Sequence, residues 1–71
     1  MEFGDILRQL RLERGLSQDE LAALLGTTKQ VISRYETKKR VPRLSVVSDF
    51  AEKLGVPLSA LSGETPLMPP E

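Results

Sequence analysis

Lys29, Gln30, Ser33 and Arg34 have hydrogen-bonding side chains at a spacing that gathers them on one face of a helix. Arg and Lys suit the acceptor edge of guanine, and Gln suits the edge of adenine. Val31, Ile32 and Tyr35 fall on a second, apolar face. A helix held in its domain by one face and polar on the other suits a surface that enters a DNA groove. Immediately beyond it Lys38, Lys39, Arg40 and Arg43 form a basic run, whose chemistry is phosphate attraction. Such contacts position a protein on a duplex without reading its sequence. Arg43 follows Pro42, which stiffens it and makes it the first choice among them.

The elements that must position these residues are written just upstream, in SQDELAALLGTTKQVISRYE, residues 17–36. Ser17 is a natural N-cap, and Glu20 three positions later completes a capping box. Asp19 and Glu20 favour the first turn through the helix dipole. Leu21, Leu24 and Leu25 recur at helical spacing, and Ala22 is small enough for a close crossing. Gly26 stops this helix at low conformational cost. Thr28 caps the next helix, with Thr27 as the other candidate cap. A three-residue turn with glycine is too short for antiparallel packing and suits the steep crossing of a helix-turn-helix.

From about Ile6 to Leu61 the chain resembles the phage-repressor-like helix-turn-helix domains of the Cro/CI type, also called the XRE family. LRLERGLSQDELAALLG, the turn GTT, the helix KQVISRYE and VPRLSVVSDFAEKLGVPLSAL carry the resemblance. Gln18, Ala22, Gly26, Ile32 and Tyr35 fall at the family's opening polar residue, small residue, turn glycine and two core positions. The resemblance implies an ion pair between Arg11 and Glu36, which joins helices 1 and 3. A partly buried arginine needs a bidentate carboxylate, so the chemistry agrees. It also implies that Gln18 sits on DNA phosphate and braces the helix that reads bases. Backbone N–H groups at the start of helix 2 would point at the same phosphate. The residues expected to read bases are Thr28, Lys29, Gln30, Ser33 and Arg34, with Lys29 and Gln30 at the end that approaches base edges in this docking geometry. Thr28 contacts either phosphate or a thymine methyl. Val31 departs from relatives that are polar at this position; it either touches the groove or completes the core.

The pattern along the whole chain gives an all-α bundle of about five short helices, at residues 3–14, 18–25, 29–37, 45–54 and 58–62. Phe3, Ile6, Leu7 and Leu10 form the apolar stripe of the first, which Gly15 ends. Leu44, Val47, Phe50, Ala51 and Leu54 face inward from the fourth, which Gly55 ends. Tyr35, Phe3 and Phe50 read as core, and three aromatics make a poor stacking platform for single strands. Residues 1–62 are expected to form one DNA-binding domain. Residues 63–71 hold three prolines and read as a flexible tail or the start of a linker.

Seventy-one residues suit one small domain of modest stability. Without cysteine there are no disulfides or thiolate metal sites, and without histidine the commonest metal ligand and proton shuttle is missing. No phosphate-cradling glycine loop or catalytic triad pattern is present, so the expectation is a protein that is not an enzyme and needs no cofactor or metal. No apolar run suits a membrane span and no signal peptide is visible, so the expected location is cytoplasmic, on the nucleoid. The formal net charge is zero, which is unusual for a DNA binder. Its distribution is uneven. Residues 29–43 set six cations against Glu36 alone, while residues 1–28 carry −2 and residues 44–71 carry −3. Attraction to phosphate acts within a Debye length of about 8 Å, so the local +5 outweighs the total.

One such domain covers one half-site, so a homodimer on a palindromic operator in double-stranded DNA is expected. Val56, Leu58 and Leu61 supply either the dimer surface or the end of the monomer core. Family resemblance favours a transcriptional repressor. The alternatives are an antitoxin or other protein-interaction module whose C-terminal tail takes a protein partner, and the N-terminal DNA-binding part of a longer repressor. A helical domain that keeps the fold but has lost DNA binding is disfavoured by the basic cluster.

Overall fold

A computed structural model describes residues 2–62 as five helices. These are α1 (Phe3–Glu13), α2 (Gln18–Leu25), α3 (Lys29–Glu36), α4 (Leu44–Leu54) and α5 (Leu58–Ser62). Residues 63–71, where the flexible tail and the tail-borne partner surface were expected, lie outside the described residues. The fold class and the order of elements agree with the sequence reading. The helix ends differ by a residue. Glu13 ends α1, Glu36 ends α3, and Arg43 is the N-cap of α4, so Leu44 joins the helix.

Local chemistry sets these limits. Ser17 Oγ accepts the Glu20 N–H at 3.0 Å and Glu20 Oε1 accepts the Ser17 N–H at 2.8 Å, the reciprocal box expected for α2. Gly26 closes α2 with φ 71°, and the Thr27 N–H reaches back to the Ala22 carbonyl at 2.9 Å. Thr28 Oγ1 accepts the Val31 N–H at 3.4 Å and starts α3. Thr28 is therefore the cap rather than Thr27, and three residues separate the two helices.

The helices close around one apolar centre. Phe3 of α1, Tyr35 of α3 and Phe50 of α4 are all buried. Phe3 and Phe50 each meet Tyr35 edge-on, with ring centroids 5.3 and 6.0 Å apart, and Phe3 stacks on Phe50 at 6.2 Å. Leu7, Leu21, Leu25, Ile32, Val47 and Leu61 complete the interior. Leu44 and Leu24 differ from expectation: Leu44 is half-buried and Leu24 is 46% exposed. Leu24 shares a periodicity with Leu21 and Leu25, but its place on α2 turns it off the contact face.

Two helix ends are closed by cations from neighbouring helices. Arg14 Nη2 donates to the Leu54 carbonyl at the end of α4, and Lys53 Nζ donates to the Leu25 carbonyl at the end of α2, at 2.6 and 3.0 Å. A cation at a helix C-terminus satisfies an orphan carbonyl and opposes the negative dipole end. Gly4 sets the crossing of α1 on α3: a Cβ there would stand 2.0 Å from the Tyr35 carbonyl oxygen. No side chain fits, and the two backbones approach because there is none.

Candidate nucleic-acid interface

The interface candidate begins with how firmly α3 is held. Ile32 and Tyr35 are buried, and Val31 is half-buried against the core, so of its two readings Val31 takes the core one. The opposite face is open. Thr28, Lys29, Gln30 and Arg34 are exposed and Ser33 is half-buried. Of the five side chains proposed from sequence for base readout, Thr28, Lys29 and Gln30 lie at the start of α3, and Ser33 and Arg34 lie one turn further along it. Thr28 Oγ1 also accepts the Val31 N–H and so caps the first turn.

Beneath this face lies a polar network. Arg11 Nε donates to Glu36 Oε2 at 2.8 Å, and Arg11 Nη2 donates to Glu36 Oε1 at 3.1 Å. The fork is bidentate, and the side chains are only 12% and 4% exposed. Arg11 Nη1 donates a third bond to the Leu16 carbonyl at 3.0 Å, and Gln18 Nε2 donates to Glu36 Oε1 at 3.2 Å. The hydrogen bonds it donates to Glu36 raise the already high pKa of the Arg11 guanidinium. Glu36 thus joins α1, the first turn of α2 and the last turn of α3. The ion pair implied by family resemblance is present. Gln18 braces α3 through the same carboxylate, which leaves its second amide N–H and its oxygen for an outside contact.

The basic loop is less uniform than its sequence. Lys38, Lys39, Arg40 and Arg43 are all exposed, while Pro42 is buried and anchors the segment. The Arg40 guanidinium stands 5.7 Å from the centroid of the Tyr35 ring, a cation–π contact that ties the loop to the core aromatic. Lys38 is held by α1: its Nζ is 3.3 Å from Glu2 Oε2 and 3.2 Å from Asp5 Oδ2. The hydrogen bond from Lys38 pulls the Asp5 carboxyl below its ordinary value, and the bond to Asp5 raises the Lys38 ammonium. Among the described residues, Lys39 and Arg43 make no ion pair.

The C-terminal apolar cluster needs correction. Leu61 is fully buried and closed to a partner, and Val56 packs half-buried against the core. Of the three, Leu58 is the most open, at 41% exposed. The reason is that α5 folds back on α1 and α4, and five residues suffice to bring Leu61 under them. Sequence reading also missed Glu2 and Asp5. Their ExxD spacing signals a helix start, but nothing in it names Lys38 as partner.

Residues 7–61 match the helix-turn-helix family HTH_3. The chain is 35% identical over 63 residues to the cryptic phage CTXphi transcriptional repressor RstR of Vibrio cholerae, covering 89% of this chain and 57% of that protein. It is 42% identical over 60 residues to the HTH-type transcriptional repressor RghR of Bacillus subtilis (strain 168), covering 83% of this chain and 44% of that protein. It therefore spans about half the length of these relatives. Among solved structures it is similar to the restriction-modification controller protein C.AhdI from Aeromonas hydrophila. The TM-score is 0.74, with 34% identity over 83% of this chain and 86% of that one. With α2, the turn at Gly26 and α3 inside the matched span, the chain belongs to the helix-turn-helix family.

Proposed function

We propose that the chain binds double-stranded DNA sequence-specifically and regulates transcription, as a repressor that occludes its operator. The observation that carries this reading is the outward polar face of α3 on a frame fixed by the buried Arg11–Glu36–Gln18 network. In this reading α3 enters the major groove. Lys29 and Arg34 favour guanine, Gln30 favours adenine, and Ser33 and Thr28 add adaptable contacts. Each good base contact contributes about 1–3 kcal/mol of discrimination. Gln18, Lys39, Arg40 and Arg43 contact phosphate, with Lys38 a candidate of different standing because of its carboxylate partners.

The named relatives RstR and RghR are transcriptional repressors, which supports regulation by DNA binding. Two copies on a palindrome follow from one reading helix per domain, with half-sites about 10 bp apart. Leu58 is the most open apolar residue of the expected dimer surface. Among the described residues no helix is long and apolar enough to cross a membrane. In this reading the chain is a binding protein rather than an enzyme, at work in the cytoplasm on the nucleoid.

Selection and sequencing from a random duplex library, at two salt concentrations, tests the reading. A palindrome with steeply salt-dependent affinity supports it. Weak binding without sequence preference refutes specific recognition by this chain.

A further inference from the structure

Three of the four long helix ends close in the same way. α1, α2 and α4 each end on a glycine with φ of 67–71°, and the next N–H bonds back to the last turn. α3 ends with the same bonds, Lys38 N–H to the Tyr35 carbonyl and Lys39 N–H to the Arg34 carbonyl, at 3.1 and 2.8 Å. Its left-handed residue, however, is Lys38, with φ 63°. Lysine is unfavourable there, and glycine would close the turn with less strain. What lysine adds is its ammonium, and that group lies between two carboxylates of the first turn of α1. Asp5 Oδ2 is itself held by the Glu2 backbone N–H at 3.3 Å, so the acceptor is fixed before Lys38 reaches it. Glu2, Asp5 and Lys38 together carry net negative charge at the very start of the basic loop.

We propose that Glu2 and Asp5 are positioning residues for DNA binding: they form an acidic latch on Lys38 that holds its ammonium away from phosphate. A phosphate approaching Lys38 must break two ion pairs and meets two like charges. Lys39, Arg40 and Arg43, with no carboxylate partner among the described residues, then supply the phosphate contact of the loop. The latch lowers affinity for all duplexes alike and leaves a larger share of binding to the base-reading face of α3. The proposal rests on the DNA-binding reading above.

The test is a double-mutant cycle on binding to a random-sequence duplex across a salt series. Glu2→Gln with Asp5→Asn releases Lys38 while keeping side-chain shape. One added phosphate contact steepens the slope of log K against log salt by about 0.9, so the affinity ratio to wild type changes about eightfold per decade of salt. In a Lys38→Gln background the same pair of substitutions leaves the slope unchanged. Far-UV circular dichroism checks the fold, and Glu2→Gln alone, which retains the Asp5 cap, carries the test if the double variant loses helix. A wild-type slope in the released variant overturns the latch. So does an equal effect with and without Lys38, which would mark long-range charge removal. Wild-type protein that binds no duplex overturns both the latch and the reading beneath it.

Discussion

Arg11→Ala is the most informative stability test, because it removes one side of a nearly buried pair and leaves the other in place. The substitution deletes two bonds to Glu36 and one to the Leu16 carbonyl. Glu36 keeps only the Gln18 amide, at 3.2 Å, with its side chain 4% exposed. Leaving a buried charge without its partner costs about 3–5 kcal/mol. Arg11 sits at the edge of solvent and Gln18 persists, so the low end applies, about 3 kcal/mol. A chain of this size has roughly 4–10 kcal/mol of stability in all. Each kcal/mol moves Tm by about 4–8 °C for a small domain, which gives a fall of about 12–24 °C. Thermal unfolding followed by circular dichroism measures it, with Arg8→Ala as control. Arg8 is exposed on the same helix, and its loss should stay within about 0.5 kcal/mol. Arg11→Lys should fall between, since an ammonium keeps the charge but not the fork. Equal Tm for the Arg8 and Arg11 alanine variants would refute the assignment of this network as the frame of α3.

Gly4→Ala should cost about 3 kcal/mol or prevent folding, because its Cβ meets the Tyr35 backbone; Gly15→Ala, with open space around it, should cost about 1 kcal/mol from its positive φ alone. Urea unfolding ranks the two, and the reverse order would discount the close α1–α3 crossing. Leu61→Ala should destabilise the monomer by about 2–5 kcal/mol, whereas Leu58→Ser should leave stability nearly unchanged and weaken self-association in sedimentation. Asp5 has a folded pKa below its ordinary 3.8, so its stabilising contribution is present above that value and fades as pH falls through the folded pKa. Asp5→Asn should therefore flatten the loss of stability as pH falls below 3.8, read from Tm against pH. Gln30→Ala should relax base preference at one operator position with little change in salt slope, while Arg43→Ala should weaken all duplexes and reduce the slope by about 0.9.

What could be read from the sequence was local. The Ser17–Glu20 box, the Gly26 stop and the Thr28 cap each act within four residues, so type and spacing suffice to place α2 and α3. The Arg11–Glu36 pair spans 25 positions and was reached through family resemblance, with chemistry in agreement. Long-range features with no local signature escaped. Gly4 looks like an ordinary glycine near a helix start until Tyr35 lies against it. Arg14 and Lys53 look like solvated cations until the ends of α4 and α2 arrive beneath them. Leu58 and Leu61 are both leucines on one short helix, three residues apart, and only the packing of α5 on α1 assigns one to the core and the other to solvent.

The zero net charge is consistent with DNA binding once position is considered. Beyond a Debye length the +5 of residues 29–43 and the acids elsewhere cancel, so long-range capture by DNA is weak. At contact only the near cations matter, and these differ in availability. Arg40 lies over Tyr35 and Lys38 is paired with α1, while Lys39 and Arg43 are exposed with no ion pair among the described residues. Phosphate contacts by these cations carry no sequence information. In the proposed DNA complex specificity must then come from Lys29, Gln30, Ser33 and Arg34, and it is useful only if α3 does not shift under them. The one nearly buried ion pair of the described residues ties the last turn of α3 to α1, and in the proposed complex it would hold α3 in register.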